Sequence, residues 1–396
     1  MLLMNYLDRV NVSNARLAGM QEDLHMSDVE WSAGISLFYV GYIISQVPAN
    51  VVIAKGKPRL ILLCVMLGWS AVTNFMPLCN RRWGFMLCRF LIGIAEGPFV
   101  PGVALVTSSW YNKEKSPLHT AIWHAGNIIS NVFSGLLAAA VLTNMDGLGG
   151  AVSILVGGLG FFCLPNFPNN SPNFFNKEQS QMAQYRMLVS AGGVAEDDEG
   201  DYCGGFWMAC KDPFIWAFAA LHFAIIIAQS FKDFFPSILA TLSFNETTTY
   251  LVQAPPYVVA YIVTLIISWS SGRFLEHCYH IIGPMAAALI GVVIMISTLS
   301  TGARYFSLVL LCSGLFVALN IHIPWETAIV PRPLTKRAAL IAIANSASSV
   351  SHWFSPYFFL RSQEPRYQTV GGIIIAGCGL SIILALVIKE MCRRKS

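Results

Sequence analysis

Charge is the scarcest property of this sequence. Asp, Glu, Lys and Arg supply 12% of its 396 residues, half the roughly 25% usual in soluble chains. Apolar residues make up 55%, more than a soluble domain shields from water, so the surplus is expected to face lipid. A scattered net charge of only +4 excludes the concentrated basic surface that nucleic-acid binding needs. The ten cysteines include no C-x-x-C pair and no Cys/His cluster, so no metal or redox motif is expected. Several of them (Cys64, Cys88, Cys312, Cys378) sit inside apolar runs and read as small buried hydrophobes. There is no His-box, H-E-x-x-H or lipid-phosphate motif, so an integral-membrane enzyme has nothing to rest on, and no cofactor is expected. A cleavable leader is not expected either: Met1–Leu7 is a short apolar stub with Asp8 and Arg9 directly behind it.

A membrane crossing takes about 20 consecutive apolar residues. Apolar runs between polar breaks predict helices near 1–19, 31–54, 59–79, 84–108, 118–143 and 147–164. The pattern resumes at 213–238, 250–270, 281–300, 304–326, 338–360 and 370–388. The first run is short and polar for a span, and the sixth is Gly-rich and barely long enough. The expected fold is all-α: a polytopic membrane protein with about twelve transmembrane helices in two six-helix bundles, the first and sixth helices shortened. The bundles occupy 1–165 and 212–396. Between them, 166–211 is the only long hydrophilic stretch and carries the acidic run Glu196, Asp197, Asp198, Glu199 and Asp201. It reads as a cytosolic linker.

With the N-terminus inside, sixteen of the 25 Lys and Arg residues fall in inner segments. Six (Arg16, Arg81, Arg82, Arg304, Arg361, Arg366) fall in outer ones, and Arg9, Arg89 and Lys232 lie within spans. That excess predicts both termini in the cytosol. The sequon Asn245-Glu246-Thr247 then sits in an outer loop, compatible with glycosylation.

A charged side chain at mid-bilayer costs roughly 2.5–3.5 kcal/mol, so each one needs a partner, water or a ligand. Arg89 and Glu96 share the fourth span, almost two turns apart, and project from one face about 10 Å apart along the axis. They are too distant to neutralise each other. Arg89 is suited to hold an anion, because it keeps its charge and grips a carboxylate through two parallel hydrogen bonds. Glu96 is a carboxylate that can take up a proton. The competing reading is an interhelical ion pair, for instance Arg89 with Asp8, that only holds the bundle together. Asp8 and Arg9 are adjacent, about 100° apart on a helix, and cannot both point at one spot. His124 and Asn127, one turn apart on the fifth span, either face a cavity or make a hydrogen-bonded helix contact. His222, His322 and Asn345 are single polar residues of a kind that more often packs than binds, and Glu326 reads as solvated at an inner end. Gly93-x-x-x-Gly97 permits close helix approach, and Pro98 and Pro101 are expected to disturb the helix just past Glu96.

These residues resemble a known pattern. Met4-Asn-Tyr-Leu-Asp-Arg-Val-Asn-Val-Ser-Asn-Ala15 followed by Gly19-Met-Gln-Glu-Asp-Leu24 resembles the first-span signature of the anion:cation symporter branch of the major facilitator superfamily. Phe38-Tyr-Val-Gly-Tyr-Ile-Ile-Ser-Gln-Val-Pro-Ala-Asn50 is similar to span two of its fungal allantoate/nicotinate permease group. Arg89…Gly93-x-x-Glu96-Gly97…Pro101, Leu164-Pro-Asn-Phe-Pro168, Ala254-Pro-Pro-Tyr257, Thr335-Lys-Arg-Ala with Ala344-Asn345, and Glu364-Pro-Arg-Tyr367 extend the likeness nearly end to end. The resemblance implies a monomeric two-bundle transporter that rocks between inward- and outward-open states in the plasma membrane. Its partners would be a small organic anion, such as nicotinate, pantothenate or allantoate, and a proton. By the same resemblance Arg89 contacts the anion, Glu96 takes part in proton coupling, and Arg9 is the first-span arginine. From their own polar character within the spans, His124, Asn127 and Asn345 are further candidates for substrate contact and Asp8 for proton coupling. Against the family pattern the chain resembles a form truncated at the N-terminus and around span six, where Arg-Trp and Glu-Gly elements are missing between Leu142 and Leu164. That leaves a second expectation open: a non-transporting relative, either a nutrient receptor or an inactive truncated product.

Overall fold

The structure is a computed structural model. It describes Asn5, Tyr6 and Arg9 together with residues 20–55, 57–76, 79, 81–111, 114–144, 176–190, 202–240, 242, 246–330, 333–354 and 367–395. Asp8, the span expected at 147–164, most of the one at 1–19, and the sequon Asn245 lie outside the described residues.

Almost everything described is helical. The helices are α1 (Asp28–Lys55), α2 (Pro58–Phe75), α3 (Arg82–Glu96), α4 (Phe99–Trp110), α5 (Ser116–Asn144), α6 (Lys177–Ser190), α7 (Tyr202–Lys211), α8 (Pro213–Gln229), α9 (Glu246–Phe274), α10 (Cys278–Ser297), α11 (Thr301–Ile329), α12 (Leu334–Ser349) and α13 (Gln368–Lys395). Among the described residues eight spans are long and apolar enough to cross a membrane, with α3 and α4 counted together as Arg82–Trp110. Their outward faces are apolar as well. On α1, Phe38 and Ile53 are buried while Ile44 and Val52 are more than half exposed, the reverse of a soluble amphipathic helix. The fold is a polytopic all-α membrane bundle.

Local sequence explains the breaks. Pro58 opens α2 at its first position, where a missing N–H is harmless. Pro213 does the same for α8, which Asp212 caps by accepting from the Phe214 N–H at 3.0 Å. Pro98 lacks the N–H that would bond the Ile94 carbonyl, and the helix is interrupted there as expected, with α3 ending at Glu96 and α4 starting at Phe99. The stretch 166–211 departs from a plain connector, since it contains α6 and α7. The α6 stretch Lys-Glu-Gln-Ser-Gln-Met-Ala-Gln-Tyr-Arg-Met-Leu is rich in good helix formers without an apolar stripe, so propensity makes a helix that hydropathy does not announce.

Packing follows glycine. α1 lies against α3 because Gly41, Gly93 and Gly97 bring the two backbones together: a Cβ on Gly93 would collide with the Phe38 carbonyl, and one on Gly97 with the Tyr42 carbonyl. In the C-terminal half α10 packs on α11 and α13, and α8 packs on α12 and α13, around Phe218, Phe235, Tyr257 and Phe316. Two long seams join early helices to late ones, α1 against α12 and α5 against α9. The α1–α12 seam is antiparallel. Asn50 Nδ2 donates to the Ala338 carbonyl at 2.7 Å, Ser346 Oγ to Gln46 Oε1 at 3.0 Å, and Tyr39 stacks on His352 with ring centres 4.5 Å apart.

Candidate functional site

Close approach of α1 and α3 sets aromatic rings from one helix over charges on the other. Arg89, on α3, is 4% exposed, and its guanidinium carbon lies 4.6 Å from the centre of the Phe38 ring. Arg9 lies 5.2 Å from the same ring, 4.6 Å from that of Tyr42 and 5.5 Å from that of Tyr6. Phe38 therefore touches two guanidiniums, each attracted by its π electrons. Arg9 Nε donates to Glu96 Oε2 at 2.6 Å, and the Glu96 side chain is 1% exposed. Glu96 thus finds its partner 87 residues away rather than on its own helix.

The ion pair expected between Arg89 and Asp8 lies outside the described residues. Among those described, no carboxylate lies within ion-pair distance of Arg89, and its Nε has no hydrogen-bond partner. Counting only described groups, the centre holds two guanidiniums and one carboxylate. Burial makes that imbalance matter, because an uncompensated charge away from water is costly.

The remaining candidates lie around this centre. His124 and Asn127 are both buried and touch each other, with Nε2 and Nδ2 3.3 Å apart. The His124 ring stacks on Tyr6 at 6.3 Å, which ties α5 to the Arg9 cluster. Asn345, on α12, donates to Tyr42 Oη at 3.3 Å and to Gln46 Oε1 at 3.1 Å. It therefore reaches the ring that carries Arg9 from the opposite half. Arg9, Arg89, Glu96, His124, Asn127 and Asn345 form one connected neighbourhood.

A second polar group was not legible as a group. His222 on α8 and His322 on α11 have ring centres 4.6 Å apart, and His322 Nε2 lies 3.2 Å from Glu326 Oε2. Glu326 is 1% exposed, which corrects its reading as a solvated residue at a helix end: α11 runs on to Ile329 and keeps it inside the bundle. The four-residue spacing of His322 and Glu326 was the available signal, since such pairs share a helix face.

A helical membrane bundle with a buried charged centre reached from both halves has the build of a solute carrier. Residues 1–356 match the profile described as Major Facilitator Superfamily, and the chain belongs to that superfamily of membrane transporters. It is a transporter-family protein, not an enzyme. It is 29% identical to the MFS-type transporter efuF of Hormonema carpetanum, over 98% of this chain and 80% of that protein. It is 25% identical to the high-affinity nicotinic acid transporter of Saccharomyces cerevisiae, over 98% of this chain and 74% of that one. Its fold is similar to that of the proton:xylose symporter XylE with a TM-score of 0.72, covering 98% of this chain and 93% of the other. At 13% identity that likeness is one of fold.

Proposed function

We propose that the protein imports a small organic anion, a carboxylate such as nicotinate, pantothenate or allantoate, together with a proton, as a monomer in the plasma membrane with both termini in the cytosol. The observation that carries this reading is the buried Arg89 guanidinium, which faces Phe38 and has no ion-pair partner among the described residues. A carboxylate that reached it would form paired, charge-assisted hydrogen bonds and offset a buried charge that no described carboxylate pairs. The Saccharomyces cerevisiae relative named for nicotinic acid is consistent with an anionic cargo.

The Arg9–Glu96 pair supplies a coupling device. With Glu96 ionised, Arg9 is occupied at 2.6 Å. A proton on Glu96 frees Arg9 to join Arg89 on the anion, so one proton and one negative charge enter together and the centre's net charge stays the same. Asp8, next to Arg9, would serve as the second carboxylate of this exchange. His124, Asn127 and Asn345 would contact the cargo's remaining polar atoms. The linker 166–211 would join bundles 1–165 and 212–396, and the seams α1–α12 and α5–α9 would let them rock.

The test is uptake of a panel of labelled carboxylates into cells lacking their own permeases, at two external pH values. Faster uptake at the lower pH for one or more carboxylates is the expected result. Equal rates at both values would remove the proton. No uptake of any carboxylate, by protein present at the cell surface, would favour a non-transporting relative.

A further inference from the structure

We infer that Cys79 and Cys88 are joined as a disulfide in the mature protein, clamping the turn between α2 and α3 onto the helix that carries Arg89. Their Sγ atoms lie 3.5 Å apart. A formed bond measures about 2.05 Å, so bonding brings the sulfurs closer by about 1.5 Å.

The local chain is arranged for it. The turn is drawn together by the Cys79 N–H donating to the Met76 carbonyl at 3.1 Å, and α3 opens with the Gly84 N–H on the Arg81 carbonyl at 2.9 Å. Cys79 then lies over Gly84. A Cβ on Gly84 would sit 3.1 Å from both the Cβ and the Sγ of Cys79, tighter than ordinary contact, so the missing side chain leaves room for the cysteine to rest on α3. Gly84 and Cys88 are four residues apart and share that face. Both cysteines are partly exposed; Cys79, ahead of α3, is the one an oxidant outside the membrane meets first, and the Cys88 sulfur lies within reach of it. Spacing gave no sign of the pair, because the turn, not a motif, brings the sulfurs together.

The inference rests on the orientation proposed above, which puts this turn on the extracellular or lumenal side, where disulfides persist. The electron acceptor is a disulfide-bearing thiol oxidoreductase of the secretory compartment. One cysteine thiolate, its proton released to solvent, attacks that disulfide and forms a mixed disulfide while the oxidoreductase's other sulfur leaves as a thiolate. The second cysteine, also deprotonated, attacks the mixed disulfide, and the Cys79–Cys88 bond forms as the oxidoreductase departs as a dithiol. Two electrons and two protons leave the pair, and the oxidoreductase is reduced by the same two electrons.

Membranes holding the full chain are denatured in excess N-ethylmaleimide, then reduced and treated with a maleimide–polyethylene glycol conjugate. The expected result is a mobility shift of two polymer chains that disappears in both Cys79→Ser and Cys88→Ser. The peptides bearing the two residues should also run as one linked species, lighter by two hydrogens, until reduced. N-ethylmaleimide on both sulfurs before reduction overturns the inference. A membrane-impermeant maleimide on intact cells separates this result from the orientation and from transport. Labelling of Cys79 only after mild reduction supports the disulfide. Labelling before reduction overturns it and leaves the orientation standing, whereas labelling only after the cells are opened overturns both.

Discussion

A guanidinium buried beside a phenyl ring and away from any described carboxylate is held at a cost, and Arg89 is such a group. If anion binding offsets that cost, Arg89→Gln removes charge-assisted hydrogen bonds of about 1.5–3 kcal/mol. Uptake at limiting substrate should then fall about tenfold to a hundredfold while the protein still reaches the membrane. Undiminished uptake by that variant would leave the anion site elsewhere. A different residue reports stability. Glu276, in the turn between α9 and α10, accepts from the Tyr279 N–H at 2.8 Å and from Lys389 Nζ at 3.0 Å. Burial works against its charge, but these donors and His280 outweigh it and hold the carboxyl below the ordinary glutamate value. A lowered folded-state pKa means the clasp contributes fully above about pH 4.5 and is lost as the pH falls below that through the depressed value. Glu276→Gln should therefore lower the melting temperature in detergent by about 1–2 °C at pH 7. The difference from wild type should shrink as the pH is taken below 4.5; a constant difference would mean that the charge is not what stabilises the turn. At this scale the sequence disclosed part of the site. Arg89 and Glu96 were legible because seven residues along one apolar helix place them on one face. The Arg9–Glu96 pair was not, since nothing local links two residues 87 apart.

Helices were legible wherever a membrane dictates their composition. The runs read as 59–79 and 281–300 appear as Pro58–Phe75 and Cys278–Ser297, displaced at their ends because turns and caps, not hydropathy, decide where a helix stops. The helix Lys177–Ser190 escaped that reading, since neither lipid nor an apolar face selects it. Which helices touch is written more faintly, in glycine. At Gly93 any side chain must push α1 from α3, because the Phe38 carbonyl occupies the space. Gly93→Ala should cost about 1–3 kcal/mol, the range for overpacking, and should lower the melting temperature of the purified protein and weaken anion uptake together, since Phe38 and Arg89 move apart. Gly283→Ala is the matched control on α10, because a Cβ there meets nothing within 4 Å. Equal stability of the two variants would mean that α1 and α3 are held together by something other than backbone approach.

At the scale of the whole molecule, the polar centre is reached from both halves of the chain, and the contacts between them are short and specific. Transport by alternating access requires at least one of the long seams to open and close during each cycle. The α1–α12 seam is held mid-length by the Asn345 amide donating to Gln46 Oε1 at 3.1 Å and Ser346 Oγ donating to the same oxygen at 3.0 Å. Each bond is worth only about 1 kcal/mol net, so the seam is weak enough to part and ordered enough to re-form. A pair of cysteines on this seam, Gln46→Cys with Ser346→Cys, replaces the Ser346–Gln46 bond with thiols placed to react. Oxidation should join them in high yield, stop uptake of the anion that the wild type carries, and release it again on reduction. The single variants treated with the same oxidant should keep transporting, which separates the cross-link from the loss of either side chain. Full cross-linking with uptake unchanged would mean that α1 and α12 travel together, and the rocking motion would have to be assigned to the α5–α9 side alone.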